Sequence, residues 1–326
     1  MPPLLPHLAI TLGDPGGIGP EVIVKALAHP SLCQRARFTI IGLHTPLASA
    51  ASAAGISPFW SAALDAPIRL VEPVTSFPPL PKSTTSGGDS SFQFCREAIR
   101  RAKLDRTHPE FVHGVVTGPI SKEAWHMAGH RYPGHTELFA EQFGITDFGM
   151  FFAAPKLKVI LATVHIPLAR VSTTLTSARV LTTIRLGKRA CHDLGIASPR
   201  IAVCGLNPHA GENGLLGTED DSIIAPAIRA AKQESISASG PFPADTIFLA
   251  AMNGKYDLVV AMYHDQGLIP VKLLSRDTAV NVTVGLPTIR TSPDHGTAFD
   301  IAGKNLADPG SMLTAIELAI TMASRS

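Results

Sequence analysis

The stretch that decides the fold is Leu8-Ala-Ile-Thr-Leu-Gly-Asp-Pro-Gly-Gly-Ile-Gly-Pro-Glu21, an apolar run that passes through a glycine-rich turn into a predicted helix. This succession is typical of a βα unit. Glycines after a strand let the backbone approach a ligand closely, and a helix N-terminus favours anions. The loop is neither a Gly-x-Gly-x-x-Gly fingerprint nor a Walker loop. A plain tight turn is therefore an equal interpretation, with Asp14 and Glu21 as candidate polar contacts.

The same pattern repeats along the chain. Strands that alternate with helices indicate an α/β fold with mostly parallel sheets, and 326 residues indicate about two domains. The Pro-, Ser-, Thr- and Gly-rich stretch Thr75–Gly88 predicts a long loop. The predicted strands are Leu8–Leu12, Phe38–Ile41, Val112–Val116, Lys158–Val164, Ile201–Cys204, Leu258–Met262 and Val280–Val284. The predicted helices are Pro20–Ala28, Ser90–Leu104, Thr136–Phe143, Ser177–Leu194, Asp220–Ala231 and Gly310–Ala323.

Composition and charge exclude several function classes. The chain has 28 Lys plus Arg against 26 Asp plus Glu, a net charge of +2, and no basic run, which argues against a nucleic-acid binder. Phe38–Leu64 carries no charge, but its glycines and prolines predict a strand, a turn and a small helix and no membrane span. The four cysteines include no Cys-x-x-Cys pair, so we expect a cytoplasmic protein without disulfides.

Three histidines follow predicted strands: His165, His209 and His264 each close an apolar run. Ligands of parallel sheets bind beyond the carboxyl ends of the strands. Three imidazoles at that edge could converge on one divalent ion and leave coordination positions for a substrate. Each could equally be an ordinary hydrogen-bonding residue at a strand end. The side chains that follow these histidines are candidates to orient the imidazole rings: Glu212, Asp265 and Gln266.

A further set of residues is polar and partly cationic. Lys272 and Arg290 lie beside apolar runs interpreted as strands, where a cation needs an anion. That anion is either a bound phosphate or carboxylate, or a neighbouring Asp or Glu. Thr136, next to His135, precedes a predicted helix and could be its N-cap. Lys122, in another turn between strand and helix, faces either a site or solvent.

Jointly, these motifs resemble the 4-hydroxythreonine-4-phosphate dehydrogenase family of vitamin B6 biosynthesis. The matching segments span nearly the whole chain in one order, and their combination is specific. The variant Glu212-Asn-Gly, with Leu157-Lys-Val-Ile nearby, also resembles a branch that acts on 4-phospho-D-threonate or 4-phospho-D-erythronate. The matching segments are Gly13–Glu21, Thr117–Glu123, Tyr132–Glu137, Gly205–Glu212, Gly240–Thr246, Tyr263–Gly267 and Ile289–Ala298.

The resemblance implies two α/β/α domains similar to isocitrate and isopropylmalate dehydrogenases, with the active site in the cleft between them. A larger domain, residues 1–124 and 279–326, would carry the NAD loop. A second domain, residues 125–278, would carry the metal ligands and the dimer contacts. The resemblance also implies a homodimer whose metal site draws on both subunits, and one divalent ion per subunit. Imidazole ligands favour zinc or cobalt, and magnesium is the alternative.

Site residues are carried over one by one. The resemblance implies metal ligands at His165, His209 and His264. It implies substrate contacts at His135, Thr136, Lys272, Asn281 and Arg290. The loop from Asp294 to Lys304 resembles the adenosine side of the NAD site in those dehydrogenases, and the implied contacts to NAD, or to NADP as the alternative, are His295, Gly296 and Asp300.

The implied reaction is metal-assisted oxidation of 4-phosphooxy-L-threonine by NAD. The product, 2-amino-3-oxo-4-phosphooxybutanoate, decarboxylates to 3-amino-2-oxopropyl phosphate in pyridoxal 5'-phosphate biosynthesis. The alternative is a dehydrogenase of 4-phospho-D-threonate or 4-phospho-D-erythronate in sugar-acid catabolism. A remoter alternative is a metal-dependent lyase on a phosphorylated sugar acid, which has no use for an adenosine pocket. Water, Lys122 and Asp245 are all candidates for the general base.

Overall fold

A computed structural model describes residues 5–75, 77–275 and 278–325 of the chain. Contacts between Cα atoms divide it into two units. The first unit runs up to Thr146 and continues with Leu286–Ser324, and the second is Asp147–Gly285. The predicted α/β fold with mostly parallel pairing is confirmed.

The strands and helices alternate along most of the chain. The strands are β1 (His7–Thr11), β2 (Arg37–Ile41), β3 (Ile68–Val71), β4 (Gly114–Thr117), β5 (Gly149–Ala153), β6 (Lys158–Leu161), β7 (Ile201–Cys204), β8 (Ala238–Phe242), β9 (Leu258–Ala261), β10 (Val280–Val284) and β11 (Ile289–Pro293). The helices are α1 (Gly19–Leu27), α2 (His44–Ala53), α3 (Thr85–Ala102), α4 (Lys122–Met127), α5 (His135–Phe143), α6 (Val171–Thr174), α7 (Ser177–Asp193), α8 (Ala225–Gln233), α9 (Ala244–Met252), α10 (His264–Ser275) and α11 (Gly310–Ala323).

In the first unit the strand order is β3-β2-β1-β4-β11, and every pair is parallel. All five residues of β1 are buried, as expected for a central strand that is covered on both faces. The glycine-rich turn after β1 leads directly into α1, which confirms the βα unit predicted from the opening stretch.

In the second unit the order is β10-β5-β6-β9-β7-β8. β5 pairs antiparallel with β10 and β6, and the remaining pairs are parallel. Alternate residues of β6 and β9 face opposite sides. Val159 and Val259 belong to the buried cluster formed with α9 and α10, whereas Ile160 and Leu258 lie against Gly187 of α7. Helices therefore cover both faces of the strands that precede the candidate metal ligands.

The structure corrects the predictions for the loop that precedes α3 and for the segment that contains Lys272. The loop predicted to extend to Gly88 ends at Thr84, because the hydroxyl of Thr84 accepts a hydrogen bond from the backbone N–H of Gly87 and caps α3; Ser76 of the same stretch lies outside the described residues. The apolar run that contains Lys272 is not a strand but part of α10, where Leu268 and Val271 are buried at helical spacing. No helix in the described ranges is long and apolar enough to cross a membrane.

Candidate functional site

The three candidate metal ligands follow three adjacent parallel strands. His165 comes shortly after β6, His264 after β9 and His209 after β7, and the strands lie side by side in the order β6-β9-β7. Because the strands are parallel, their carboxyl ends meet at one edge of the sheet. The sequence prediction that all three histidines come from one sheet edge is therefore consistent with the strand order, and their metal-binding role stays a prediction.

His165 and His264 lie close together at this edge. Their ring centroids are 5.8 Å apart, with an angle of 44° between the ring planes. The Nδ1 atom of His264 lies 2.7 Å from Oδ1 of Asp265, which leaves Nε2 of His264 available as a ligand. Asp265 thus contacts the imidazole as predicted. The two histidines line a cavity of ≈ 240 Å³ together with Val164, Ile166, Leu168, Val171, Tyr263 and Asp265.

The pair fits a divalent ion in spacing and in chemistry. Two imidazoles that bind one zinc ion through nitrogen, at about 2.0–2.1 Å, have ring centres roughly 5–6 Å apart, and the carboxylate beside His264 is a common partner of a metal-binding imidazole. Within residues 5–75, 77–275 and 278–325, no three His, Cys, Asp or Glu side chains form a group that could hold a metal ion. The structure therefore brings two of the three predicted ligands together.

His209 lies in a loop with an unusual backbone. All of residues 209–214 have positive φ, from 45° at Glu212 to 89° at Gly214. For residues other than glycine this left-handed conformation costs roughly 1–2 kcal/mol each, so surrounding contacts must hold it. The residues that lead into this loop are held by the buried carboxylate of Asp220, which accepts hydrogen bonds from the backbone N–H groups of Leu206 and Asn207 at 2.8 and 3.1 Å.

Lys272 and Asn281 are the predicted substrate contacts in the second unit. Lys272 is exposed on α10. Asn281 lies on β10 opposite Phe152 of β5. Its Oδ1 atom is buried and has no hydrogen-bond partner among the described residues, so a ligand donor could satisfy it.

In the first unit, Arg290 lies near the start of β11 and close to His135, which is followed by Thr136 at the start of α5. The Arg290 guanidinium is 3% exposed and donates a 2.6 Å hydrogen bond to the Thr117 hydroxyl. Burial lowers the pKa of Arg290 to about 10, so the group is charged at neutral pH. Thr136 is buried within α5, whose N-cap is Gly134, so the interpretation of Thr136 as the N-cap is wrong.

His135 is held as a neutral imidazole beside this cation. Burial lowers its pKa well below the usual value, and the charges of Arg290 and Lys122 lower it further. Trp125 packs edge-on against the ring at 5.6 Å between centroids. The buried Nε2 atom of His135 has no hydrogen-bond partner among the described residues. A neutral imidazole can donate one hydrogen bond to an anion without requiring a second charge.

The glycine-rich turn and the predicted NAD loop line one pocket in the first unit. Its volume is ≈ 340 Å³, within the roughly 300–1,000 Å³ usual for small-molecule sites. The loop contributes Ala302 and Gly303 to the wall, and Asn305 follows directly after it, but the predicted contacts His295, Gly296 and Asp300 do not line the pocket. The other lining residues are Pro15, Gly16, Gly17, Pro20, Glu21, Thr45, Pro46, Ser49, Ala50, Ala53, Pro79 and Pro81.

Glu21 and Asp14 both have buried carboxylates in this region. Glu21 accepts hydrogen bonds at 2.7 Å from Lys25 and from the backbone N–H of Ala307, and so fixes the end of the loop to α1. Asp14 accepts a 3.0 Å bond from the N–H of Gly16. Both acids therefore shape the pocket through contacts within the protein.

Asp14 makes stability depend on pH. Burial raises its pKa from 3.8 to about 6, so the folded state holds this proton more tightly than the unfolded state. The stabilisation that protonated Asp14 contributes is fully present below pH 3.8 and is lost as the pH rises through about 6. Between about pH 4.5 and pH 7, the free energy of unfolding of wild type should fall by about 2 kcal/mol relative to that of Asp14→Asn, which has no carboxyl to titrate. Chemical denaturation at both pH values checks this.

The control for this prediction is Asp65→Asn, which changes an exposed carboxylate of the same unit. Asp65→Asn should show the same change in the free energy of unfolding between the two pH values as wild type. Equal pH dependence in wild type and Asp14→Asn would contradict the account.

No described contact joins the candidate general bases Lys122 and Asp245 to His165, His209 or His264, although Lys122 lies near His135. Lys122 begins α4 in the first unit, and Asp245 lies exposed in the first turn of α9 in the second. Sequence reasoning missed Thr117, Trp125 and the small residues of α2. The signal for α2 was present, because Thr45, Ser49 and Ala53 recur at helical spacing and leave room beside the helix.

Comparison with known proteins gives matches over nearly the whole length of the chain. The profile of the family described as "Pyridoxal phosphate biosynthetic protein PdxA" matches residues 27–319. 4-Hydroxythreonine-4-phosphate dehydrogenase of Geobacter metallireducens is 45% identical, over 99% of this chain and 97% of that protein. D-threonate 4-phosphate dehydrogenase of Cupriavidus necator is 44% identical, over 98% of both. The crystal structure of 4-hydroxythreonine-4-phosphate dehydrogenase from Klebsiella pneumoniae superimposes with a TM-score of 0.85 at 41% identity, covering 98% of this chain and 99% of that one.

Proposed function

The chain belongs to the PdxA family of pyridoxal phosphate biosynthetic proteins, and we propose that it oxidises 4-phosphooxy-L-threonine with NAD and a divalent metal ion. It is a dehydrogenase that acts on a CH–OH group of a phosphorylated hydroxy acid. The proposed product, 2-amino-3-oxo-4-phosphooxybutanoate, loses carbon dioxide to give 3-amino-2-oxopropyl phosphate. This step belongs to pyridoxal 5'-phosphate biosynthesis.

The observation that carries the proposal is the pair His165 and His264 beside Asp265 at the carboxyl edge of the second unit. When bound, a divalent ion supplies a Lewis acid that lowers the pKa of a ligated hydroxyl, and NAD supplies the hydride acceptor. Asp265 hydrogen-bonds to Nδ1 of His264 and so leaves Nε2 as the nitrogen that would bind the metal ion. His209 is the proposed third ligand. Zinc suits imidazole nitrogen best, with cobalt or magnesium as alternatives.

The charged and polar groups of the first unit would hold the anionic ends of the substrate. Arg290, charged and buried, stabilises a phosphate or carboxylate more strongly than an exposed cation does. His135, neutral at physiological pH, donates a hydrogen bond without gaining a proton. Thr136, Lys272 and Asn281 complete the proposed substrate contacts.

NAD is the proposed hydride acceptor, with NADP as the alternative, and the pocket beside the glycine-rich turn is its proposed adenosine site. Ser49 is exposed on α2 and lines that pocket, whereas Ser52 is exposed on the same helix and does not. We expect Ser49→Leu to weaken NAD binding at least about tenfold, because the added side chain occupies ligand volume. Calorimetric titration measures this. Ser52→Leu is the matched control, and equal NAD affinity in both variants would contradict the assignment.

A homodimer with the active site at or near the interface is part of the proposal. Apolar side chains of the second unit are unusually exposed, among them Leu168 at 69%, Ile269 at 58% and Leu273 at 81%. Leu168 also lines the cavity of His165 and His264, so an apolar surface adjoins the proposed metal site. Exposed apolar patches of this kind mark interfaces.

The four cysteines are free thiols, which supports the proposed cytoplasmic location.

The second candidate substrate is 4-phospho-D-threonate, which the relative from Cupriavidus necator favours by its name and its 44% identity. NADH formation, followed by absorbance with 4-phosphooxy-L-threonine and 4-phospho-D-threonate side by side, separates the two. A higher kcat/KM with the L-amino acid is expected. A preference for D-threonate would keep the chemistry and move the protein to sugar-acid catabolism. No nicotinamide reduction with either substrate would overturn both assignments.

A further inference from the structure

The side chain of Gln266 joins the ends of two strands that precede candidate metal ligands. Its Oε1 atom accepts a 2.6 Å hydrogen bond from the backbone N–H of Met262, the residue after β9. Its Nε2 atom donates a 2.8 Å bond to the carbonyl of Gly205, the residue after β7. Gln266 is buried. The sequence predicted that Gln266 orients an imidazole ring. Instead, its amide group links the two chain segments that lead to His264 and to His209.

Gly205 is held on two sides. Gln266 binds its carbonyl, and a side chain at this position would come within 2.6 Å of Oδ1 of Asp220. Asp220 in turn accepts hydrogen bonds from the N–H groups of Leu206 and Asn207. The start of the left-handed loop 209–214 is thereby fixed relative to β7. Gly205 is where the contacts of Gln266 and those of Asp220 meet.

The other end of the link is equally confined. Gly267 follows Gln266 in α10, and a Cβ atom there would lie 2.6 Å from Leu161 and 2.9 Å from Val159 of β6. The first turn of α10 therefore packs directly on β6 and β9. Since His264 is the first residue of α10, its backbone position is set by the same packing.

We propose that Gln266 is a positioning residue that holds the His209 loop in a fixed arrangement relative to the first turn of α10 and so sets the metal affinity of the protein. This inference rests on the proposed function, because it takes both histidines as metal ligands. It adds a residue that touches neither metal nor substrate. Without the hydrogen bond to Gly205, the left-handed loop 209–214 can move relative to α10. Changes in groups that orient metal ligands typically weaken metal binding about 10- to 100-fold.

The test uses Co²⁺ as the probe and the full chain stripped of metal. Visible absorption of bound Co²⁺ gives both an affinity and a spectrum that reports ligand geometry. Gln266→Met removes both hydrogen bonds. Gln266→Glu keeps the acceptor for Met262 but replaces the donor to Gly205, and it serves where Gln266→Met does not fold. We expect both variants to bind Co²⁺ about 10- to 100-fold more weakly, with an altered spectrum.

The matched control is Thr183→Val, which removes a buried hydroxyl that donates a 2.8 Å bond to the carbonyl of Arg179 within α7 of the same unit. It should lower thermal stability and leave Co²⁺ affinity and spectrum unchanged. Wild-type affinity and spectrum in Gln266→Glu would overturn the positioning role alone. Failure of the wild-type chain to bind Co²⁺ would overturn the metal site of the proposed function, and the positioning role with it.

Discussion

His264→Ala is expected to lower kcat/KM at least about a thousandfold and to abolish tight metal binding while the chain stays folded. The change removes one of the two imidazoles that the structure brings together, and the one oriented by Asp265. A Lewis acid contributes several kcal/mol to the transition state, and each 1.4 kcal/mol corresponds to about tenfold in rate. The side chain is 38% exposed, so its removal leaves no buried cavity and changes stability by only about 0.5 kcal/mol.

The measurement pairs steady-state kinetics with metal analysis and a thermal melt. His192→Ala is the matched control, because His192 is an exposed histidine of the same unit in the last turn of α7. It should keep wild-type activity and metal content. A fully active His264→Ala enzyme after exhaustive chelation would show that the histidine pair is not the metal site.

Arg290→Met is expected to raise the KM for the phosphorylated substrate about 10- to 100-fold and to leave thermal stability at or above that of wild type. The hydrogen bonds of a charged group contribute about 1.5–3 kcal/mol, and the buried guanidinium is the strongest proposed contact to the substrate anion. Burying this charge costs folding free energy, as the lowered pKa of Arg290 indicates. An apolar side chain of similar length removes that cost.

Arg101→Met is the matched control, because Arg101 is another buried arginine of the first unit, 2% exposed. It donates hydrogen bonds to Glu97 and Glu110 at 2.7 and 2.9 Å. Its replacement leaves two carboxylates without that cation, so stability should fall while KM stays near the wild-type value. Kinetics and thermal melts on both variants should therefore give opposite patterns. A wild-type KM in Arg290→Met would contradict the proposed anion site.

Sequence periodicity predicted most of the buried strands and the longest helices, but not the inner strand β5 or the short strand β3. Ile201–Cys204 and Val280–Val284 are strands with the predicted bounds, and Gly310–Ala323 is a helix with the predicted bounds. β8 was not predicted, because Ala-Ser-Gly-Pro-Phe has neither alternation nor branched residues. As an edge strand, it tolerates glycine and proline that an inner strand would not. The apolar residues of α10 run on to Leu274 and include Pro270, so their pattern predicts a strand where the structure has a helix.

The candidate site was predictable where a residue's role depends on its place in the chain. Histidines that follow parallel strands must reach one sheet edge, and the pair His165 and His264 does so. The roles of Gln266 and Asp220 depend on which loops become neighbours, and no periodicity encodes that. The wall of the proposed NAD pocket likewise combines segments that are far apart in sequence. The family resemblance therefore identified the loop Asp294–Lys304, but it did not identify Gly303 or Asn305 as residues that line the pocket.

The most direct test of the central claim is NADH formation by the purified protein with each phosphorylated substrate, before chelation, after chelation and after restoring Zn²⁺ or Co²⁺. The account predicts NADH production that disappears on chelation and returns with the metal, with 4-phosphooxy-L-threonine as the better substrate. NADH production at an unchanged rate after exhaustive chelation, or none under any of the three conditions, would contradict it.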